Sequence, residues 1–288
     1  MNRIIQVVIP VYGREDVFKT IRCLRAGVDG CRLRFLVIDN GNAPELSARL
    51  AALAGDDCEV IRFEKNRGGS AAYIAGMKRA LELEGDYGWL LDDDAKPNDR
   101  TLSELVAAMD SLLAKNVKVA SVGSAVIAEG EMIECGCRFS KLLGHSTPCR
   151  GEGLNEVDYS AACSLLVNKA AVRECGFWED VFIHFDDIEW GLRVKDAGWH
   201  NFATSASMVE HPRFLPDKAG DWIAYYDARN QFWLGAKYGM APLVAAYLKN
   251  AVKNIIDLLR RKHIARTRYR RLAWRDYLNG VRRMRDEL

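Results

Sequence analysis

The chain reads as a doubly wound α/β protein with a largely parallel sheet, and three observations predict it. Short apolar runs alternate with stretches of helical period through the first half, polar residues gather where the runs end, and 49% of the 288 residues are hydrophobic, ample for a core. Strands are expected at Ile4 to Val11, where the apolar run meets Pro10, at Arg34 to Ile38, Cys58 to Phe63, Gly88 to Leu91 and Val119 to Ile127. Helices are expected between them, near 14–26, 44–54, 69–84 and 101–115. Residues 128–157, rich in Gly, Cys and charge and without a clear period, read as a long loop or irregular hairpin. Val157 to Val167 reads as one further strand, and a helix is expected from near Asp186 to about Ala197. In such sheets ligands bind beyond the carboxyl ends of the strands. Pro10-Val11-Tyr12, Asp39-Asn40 and Asp92-Asp93-Asp94 all fall at those ends, so separated segments are expected to converge on one crevice.

The net charge of +2 hides an asymmetry. Residues 249–288 hold 13 Lys or Arg against 4 Asp or Glu, which leaves −7 on residues 1–248. An anionic partner follows for the tail. Its apolar positions Leu248, Val252, Ile255, Ile256 and Leu259 keep helical spacing with Lys249, Lys253 and Arg260 between them, and an Arg-rich stretch with Tyr269 and Trp274 follows. A peripheral membrane contact fits this pattern, and so does a helix packed on the domain with a solvated basic face; the charges exclude a spanning helix. No nucleic-acid motif is present, and basic charge alone gives only nonspecific attraction. The start of the chain is too short and strand-like for a secretory signal, and eight cysteines without one point to free thiols in a cytoplasmic, reducing setting. The one-residue spacing of Cys135 and Cys137 is unlike a zinc knuckle.

Several segments carry chemistry. Three successive carboxylates, Asp92, Asp93 and Asp94, follow the apolar run Tyr87 to Leu91 and raise one another's pKa unless a cation compensates them. Alternation puts Asp92 and Asp94 on one face and turns Asp93 away into a structural position, and oxygen ligands favour Mn2+ or Mg2+. Asn66-Arg67-Gly68-Gly69-Ser70 sets small residues between a strand and a helix start, where backbone amides can approach a phosphate or simply make a turn. Asp39 can serve a base or ribose, or close an Asx turn with Asn40-Gly41-Asn42. Asp186, Asp187 and Glu189 sit at a helix start among Phe182, Phe185 and Trp190, more acids than capping requires. One of these carboxylates is a plausible general base, which the helix N-terminus is expected to keep ionised. His211 ends a short extended segment before Pro212 and can be structural or a metal ligand. Trp178 can stack on a sugar or belong to the core.

Taken together, and in this order, Val8 to Tyr12, Val37 to Gly41, Asn66 to Gly69, Leu91 to Pro97, Phe177 to Glu179, Phe182 to Arg193 and Tyr225 to Asn230 resemble a family 2 glycosyltransferase of the GT-A fold over roughly residues 4–235. The last segment is similar to a helix of the bacterial rhamnosyl- and galactofuranosyltransferase branches. The resemblance implies a Rossmann-like domain over 1–235 with a basic helical extension at 236–288. It also implies an inverting, metal-dependent transfer from a dTDP- or UDP-linked sugar to a glycan or lipid-linked glycan acceptor, in envelope polysaccharide synthesis at the inner face of the cell membrane. By the same resemblance Asp94 and His211 ligate the metal and Asp187 deprotonates the acceptor hydroxyl, with Asp186 and Trp178 on the acceptor side. Pro10, Tyr12, Arg14, Asp39, Asn66 and Gly69 then line the donor nucleotide, together with Asp92 and its neighbour Asp93. Many family members have Glu-Asp where this chain has Asp186-Asp187, a departure that bears on the donor more than on the base. A sugar-nucleotide nucleotidyltransferase would also use a parallel sheet and metal-binding acids but leaves Asp186-Asp187 unexplained. An inactive sugar-nucleotide-binding module leaves the set Asp94, Asp187 and His211 unexplained. Oligomeric state is not legible in the chain.

Overall fold

The computed structural model describes residues 3–282 apart from 29, 214, 216–219 and 262. In chain order the elements are β1 (Arg3–Val11), α1 (Asp16–Arg25), β2 (Cys31–Asn40), α2 (Pro44–Ala51), β3 (Cys58–Phe63), α3 (Gly68–Glu82), β4 (Tyr87–Leu91), β5 (Lys96–Pro97), α4 (Thr101–Leu113) and β6 (Val119–Ala128). Then come β7 (Glu131–Glu134), β8 (Cys137–Ser140), β9 (His145–Pro148), β10 (Leu154–Val157), β11 (Ser164–Asn168), α5 (Lys169–Cys175), α6 (Asp186–Asp196), β12 (His200–Glu210), α7 (Ile223–Tyr238), α8 (Met240–Leu259) and α9 (Ile264–Leu278).

One sheet runs in the order β10-β12-β6-β11-β4-β1-β2-β3, with β5 on β12 and β7 on β6. Strands β3, β2, β1 and β4 are parallel, β11 enters antiparallel between β4 and β6, and β6 is parallel to β12. The sheet is therefore mixed and mostly parallel, as the sequence predicts. Its central strands are apolar without interruption because both faces are covered. Ile5, Val7 and Ile9 of β1 pack with Val17 and Ile21 of α1 and Leu102 and Leu105 of α4, whereas Val8 points to the opposite face with Ala72 and Met77 of α3 and Trp190 of α6. This is the period-two alternation of a strand buried on both sides.

Three expectations change. The strand expected at Val157 to Val167 is two strands, β10 on β12 at the sheet edge and β11 between β4 and β6. The break has a polar cause: Asp158 takes hydrogen bonds from the Phe139 amide at 2.7 Å and Lys195 Nζ at 2.6 Å, which pulls the chain out of the sheet. Residues 128–157 are not one loop but β7, the β8–β9 hairpin and β10. The segment before His211 is the eleven-residue β12, hidden from an apolar count by Thr204-Ser205-Ala206-Ser207 and a bulge between Thr204 and Met208.

Helix α7 crosses the boundary expected at 235, and α8 and α9 pack on it around Tyr225, Tyr226, Phe232, Ala246 and Ala273. The tail residues 262 and 283–288 lie outside the described residues. No helix among the described residues is long and apolar enough to cross a membrane.

Candidate active site

Strand β4 ends at Leu91 and the chain turns; Asp92 and Asp94 both meet His211, while Asp93 and Asp94 share Arg14. Strand β12 brings His211 over this turn because Val209 and Glu210 pair with Pro97 and Lys96 of β5. His211 Nε2 lies 3.3 Å from Asp92 Oδ2 and 3.1 Å from Asp94 Oδ1. One ligand atom from each of Asp92, Asp94 and His211 lies within 4.8 Å of the others. Burial alone would lower the His211 pKa, but its bonds to Asp92 and Asp94 outweigh burial and raise it to about 10. Burial pushes Asp94 up, and His211 and Arg14 more than reverse this, so its pKa is lowered. Asp93 accepts from the Tyr12 amide at 3.1 Å and from Arg14 at 3.3 Å, and burial lifts its carboxyl to about 6. Arg14 also pairs with Asp94.

The other strand ends meet this turn. Pro10 is half-buried near the end of β1, and the ring of Tyr12 is exposed just beyond. Asp39 is buried at the end of β2 and accepts from the Asn42 amide at 3.1 Å, the Asn42 side chain at 2.7 Å and the Ser47 hydroxyl at 2.5 Å. The Asx-turn geometry is thus built. Asn42 in turn accepts from the Gly13 amide at 2.7 Å, which ties the β1 and β2 loops together. Asn66 Oδ1 accepts from Asn40 at 3.1 Å and from the Gly68 amide at 2.8 Å and so shapes the start of α3, where Gly69 follows. Gly68 has φ +82°, and a Cβ there would meet the Phe182 carbonyl oxygen at 2.1 Å. A glycine is required for the helix to approach the next segment of the site.

That segment, Phe182 to Phe185, has positive φ at Phe182, His184 and Phe185 and delivers Asp186 and Asp187 to the first turn of α6. It is held from both sides. The Ser70 amide of α3 donates to the Phe182 carbonyl at 3.3 Å, and Tyr226 of α7 stacks on the Phe182 ring at 4.6 Å. The buried Arg229 donates to the Val181 carbonyl at 2.7 Å, and Asn230 donates to the carbonyls of Ile183 at 2.8 Å and His184 at 3.0 Å. His184 bonds Asp227 at 2.7 Å. The Tyr225 to Asn230 motif therefore acts by positioning the acidic loop.

Asp187 accepts from the Ile188 amide at 2.7 Å. The expectation that the helix N-terminus keeps it ionised needs correction: burial first, then the neighbouring Asp186, hold its pKa above the usual carboxylate range. The two acidic groups both lie near Cys163. The charges of Asp92, Glu134, Asp187 and Asp94 all bear on the buried Cys163 thiol and help raise its pKa, after desolvation.

Trp178 belongs to the core rather than to an exposed acceptor surface. It is 4% exposed in the core, with its ring stacked on Trp190 at 4.6 Å, so no face is left for a sugar. Conversely, Glu134 and Tyr73 escape a reading of the sequence. Glu134, on β7 within the stretch read as loop, is pushed up by burial and feels the charge of His211. Tyr73, on the inner face of α3, donates its hydroxyl proton to Asp92. Period alone could have found Tyr73 on the buried face, but not its target.

Residues 6–126 match the family model described as Glycosyl transferase family 2. The chain is 28% identical over 110 residues to the galactofuranosyltransferase GlfT2 of Mycobacterium tuberculosis (strain ATCC 25618 / H37Rv), a match that covers 36% of this chain and 17% of that protein. It is 24% identical over 248 residues to the pre-mycofactocin glycosyltransferase of Mycobacterium tuberculosis (strain CDC 1551 / Oshkosh), covering 83% of this chain and 48% of that one. The chain thus spans less than half the length of these relatives. Among solved structures, GalNAc-T7 with UDP, GalNAc and Mn2+ superposes with a TM-score of 0.63 at 13% identity, over 81% of this chain and 47% of that chain, a likeness of fold. Residues 6–126 thus match a family 2 glycosyltransferase model, and the carboxylate turn stands at the end of the parallel strands of a sheet with the GT-A fold.

Proposed function

We propose that the chain is a glycosyltransferase that moves galactofuranose or rhamnose, with inversion, from a UDP- or dTDP-linked donor to a glycan or lipid-linked glycan acceptor in envelope polysaccharide synthesis. The observation that carries the reading is the set Asp92, Asp94 and His211, with ligand atoms within 4.8 Å, while the charge of Asp187 bears with those of Asp92 and Asp94 on the buried Cys163. The donor set fits a divalent ion: Asp94 Oδ1 is buried, takes no hydrogen bond of regular geometry and faces His211 Nε2. Two carboxylates with one imidazole suit Mn2+, with Mg2+ as the harder alternative. Asp94 and His211 would hold the ion, and the geometry adds Asp92 to them. When bound, the ion offsets negative charge on the departing nucleoside diphosphate.

The chain's own residues do the rest. Pro10, Tyr12, Arg14, Asp39, Asn66, Gly69 and Asp93 are the residues assigned to the donor nucleotide. Asp187 takes the proton from the acceptor hydroxyl, and Asp186 orients that hydroxyl. The elevated pKa of Asp187 makes its carboxylate a stronger base than an exposed one, at the cost of a smaller ionised fraction. Support for a UDP donor comes from the UDP and Mn2+ in the GalNAc-T7 structure, and support for galactofuranose from the name of GlfT2. A catalytic unit to about residue 235 with the C-terminal helices as an extension packed on it, peripheral membrane contact through the basic tail and a place at the inner face of the cell membrane belong to the same proposal.

The test is a melting-temperature panel with UDP, dTDP and GDP, each with and without Mn2+. A nucleotide-selective shift that needs the metal is expected, and Asp94→Ala should remove the metal dependence. A shift of equal size for all three nucleotides without metal would overturn the reading.

A further inference from the structure

Helix α8 is amphipathic the wrong way round for a helix packed on a globular domain. Val244, Leu248, Val252, Ile255 and Leu259 follow the i, i+4, i+8, i+11, i+15 spacing of one helical face, and all five are between 47% and 79% exposed. The polar residues face the protein instead. Asn250 is buried and donates to Gln231 at 2.9 Å, and Asp257 pairs with Arg270 of α9 at 2.7 Å. Lys249 Nζ donates to the Gly144 carbonyl at 2.9 Å, which fastens the tip of the β8–β9 hairpin beside α8. That tip carries Leu142 and Leu143, which are 56% and 60% exposed. Two elements far apart in sequence therefore present apolar side chains to solvent next to each other.

Charge is sorted the same way. The acids of α8 and α9 turn inward, Asp257 to Arg270 and Asp276 to the Tyr225 hydroxyl at 2.7 Å. Arg270 turns inward with Asp257, whereas five other arginines turn outward. Arg260 and Arg261 are exposed where the apolar stripe ends, and Arg268, Arg271 and Arg275 form an exposed row on α9 at i, i+3, i+7 spacing. Among the described residues Arg260, Arg261, Arg268 and Arg271 have no carboxylate within salt-bridge distance.

We propose that the outward face of α8 and the hairpin tip together form a docking surface for an anionic bilayer leaflet, with α8 lying in the headgroup plane. An exposed apolar stripe that ends at Arg260 and Arg261, beside a helix with an exposed arginine row, matches acyl chains below and anionic headgroups beside them. A second copy of the chain would offer the same arginines, whereas an anionic leaflet offers the opposite charge. The inference rests on the membrane contact proposed above and identifies the residues that make it, including a hairpin outside the basic tail.

The test uses the full chain in co-sedimentation with vesicles of phosphatidylcholine alone or with roughly one-third phosphatidylglycerol. Binding to the anionic vesicles is expected. It should fall roughly tenfold or more in the variant Leu248→Gln/Val252→Gln/Ile255→Gln, and by a smaller factor in Leu142→Ser/Leu143→Ser. These side chains are exposed, so folding and the nucleotide-dependent melting shift should be unchanged. That shift reports the nucleotide reading separately: its loss in the parent chain would leave the vesicle result standing. Equal vesicle binding by parent and variants would overturn the surface, as would a parent dimer in solution that the α8 substitutions make monomeric.

Discussion

Asp187 is subject to opposing influences, and these make its role measurable. Burial and Asp186 raise its pKa, while the Ile188 amide opposes them. Asp187→Asn should keep nucleotide and metal binding and lose transfer by about 10²–10⁴-fold, the usual contribution of a positioned base. Full activity in that variant would remove the base assignment. The active form is the carboxylate, so the acid limb of the rate profile should lie above the range of an ordinary Asp. Stability carries the opposite sign. A carboxyl whose folded pKa exceeds its unfolded one contributes fully below the unfolded value, and the contribution is lost as pH rises through the folded value. Melting temperatures taken from about pH 4 to 9 should therefore decline less toward the alkaline side in Asp187→Asn than in the parent. The residue types at positions 92, 94, 187 and 211 were legible in the chain, because strand ends and helix starts are marked by local pattern. The direction of the Asp187 shift was not, because desolvation depends on walls contributed by distant segments.

At the scale of elements, the acidic loop is held by its neighbours rather than by its own sequence. Positive φ at Phe182, His184 and Phe185 is unfavourable in isolation and persists here because α3 and α7 take up the loop's carbonyls. Asn230→Ala leaves the carbonyls of Ile183 and His184 without that donor, so a loss of about 1–3 kcal/mol in chemical denaturation is expected, with a lower turnover rate. An unchanged rate would mean that the loop holds its shape without α7. The β strands of the parallel half could be read directly, because continuous apolar runs are what a strand covered on both faces must have. β12 could not, since its middle is Ser and Ala, and β10 and β11 merged into one run because their separation is set by Asp158 reaching Phe139 and Lys195.

For the whole molecule, the C-terminal helices cannot be treated as a detachable tail. Phe232 of α7 meets Trp274 at 5.0 Å and Tyr277 at 5.8 Å, and the α7 aromatics share a core with Ala246 and Ala273. Ending the chain at Gly239 would uncover this cluster and with it the helix that carries Arg229 and Asn230. Such a truncation should lower the melting temperature and weaken the nucleotide-dependent shift, besides removing α8. An unchanged melting curve would show that α7 stands without its partners. By itself the sequence determined the α/β class, the order of the motifs and the chemical character of the strand-end acids, since each depends on local periodicity and residue type. Only the tertiary structure decided that His211 closes on Asp92 and Asp94, that Glu134 comes within reach of the charge of His211, that Trp178 lies in the core, and that α8 turns its apolar face outward. Each of those is a matter of which distant surfaces meet, and helical or strand period carries no information about what a face is packed against.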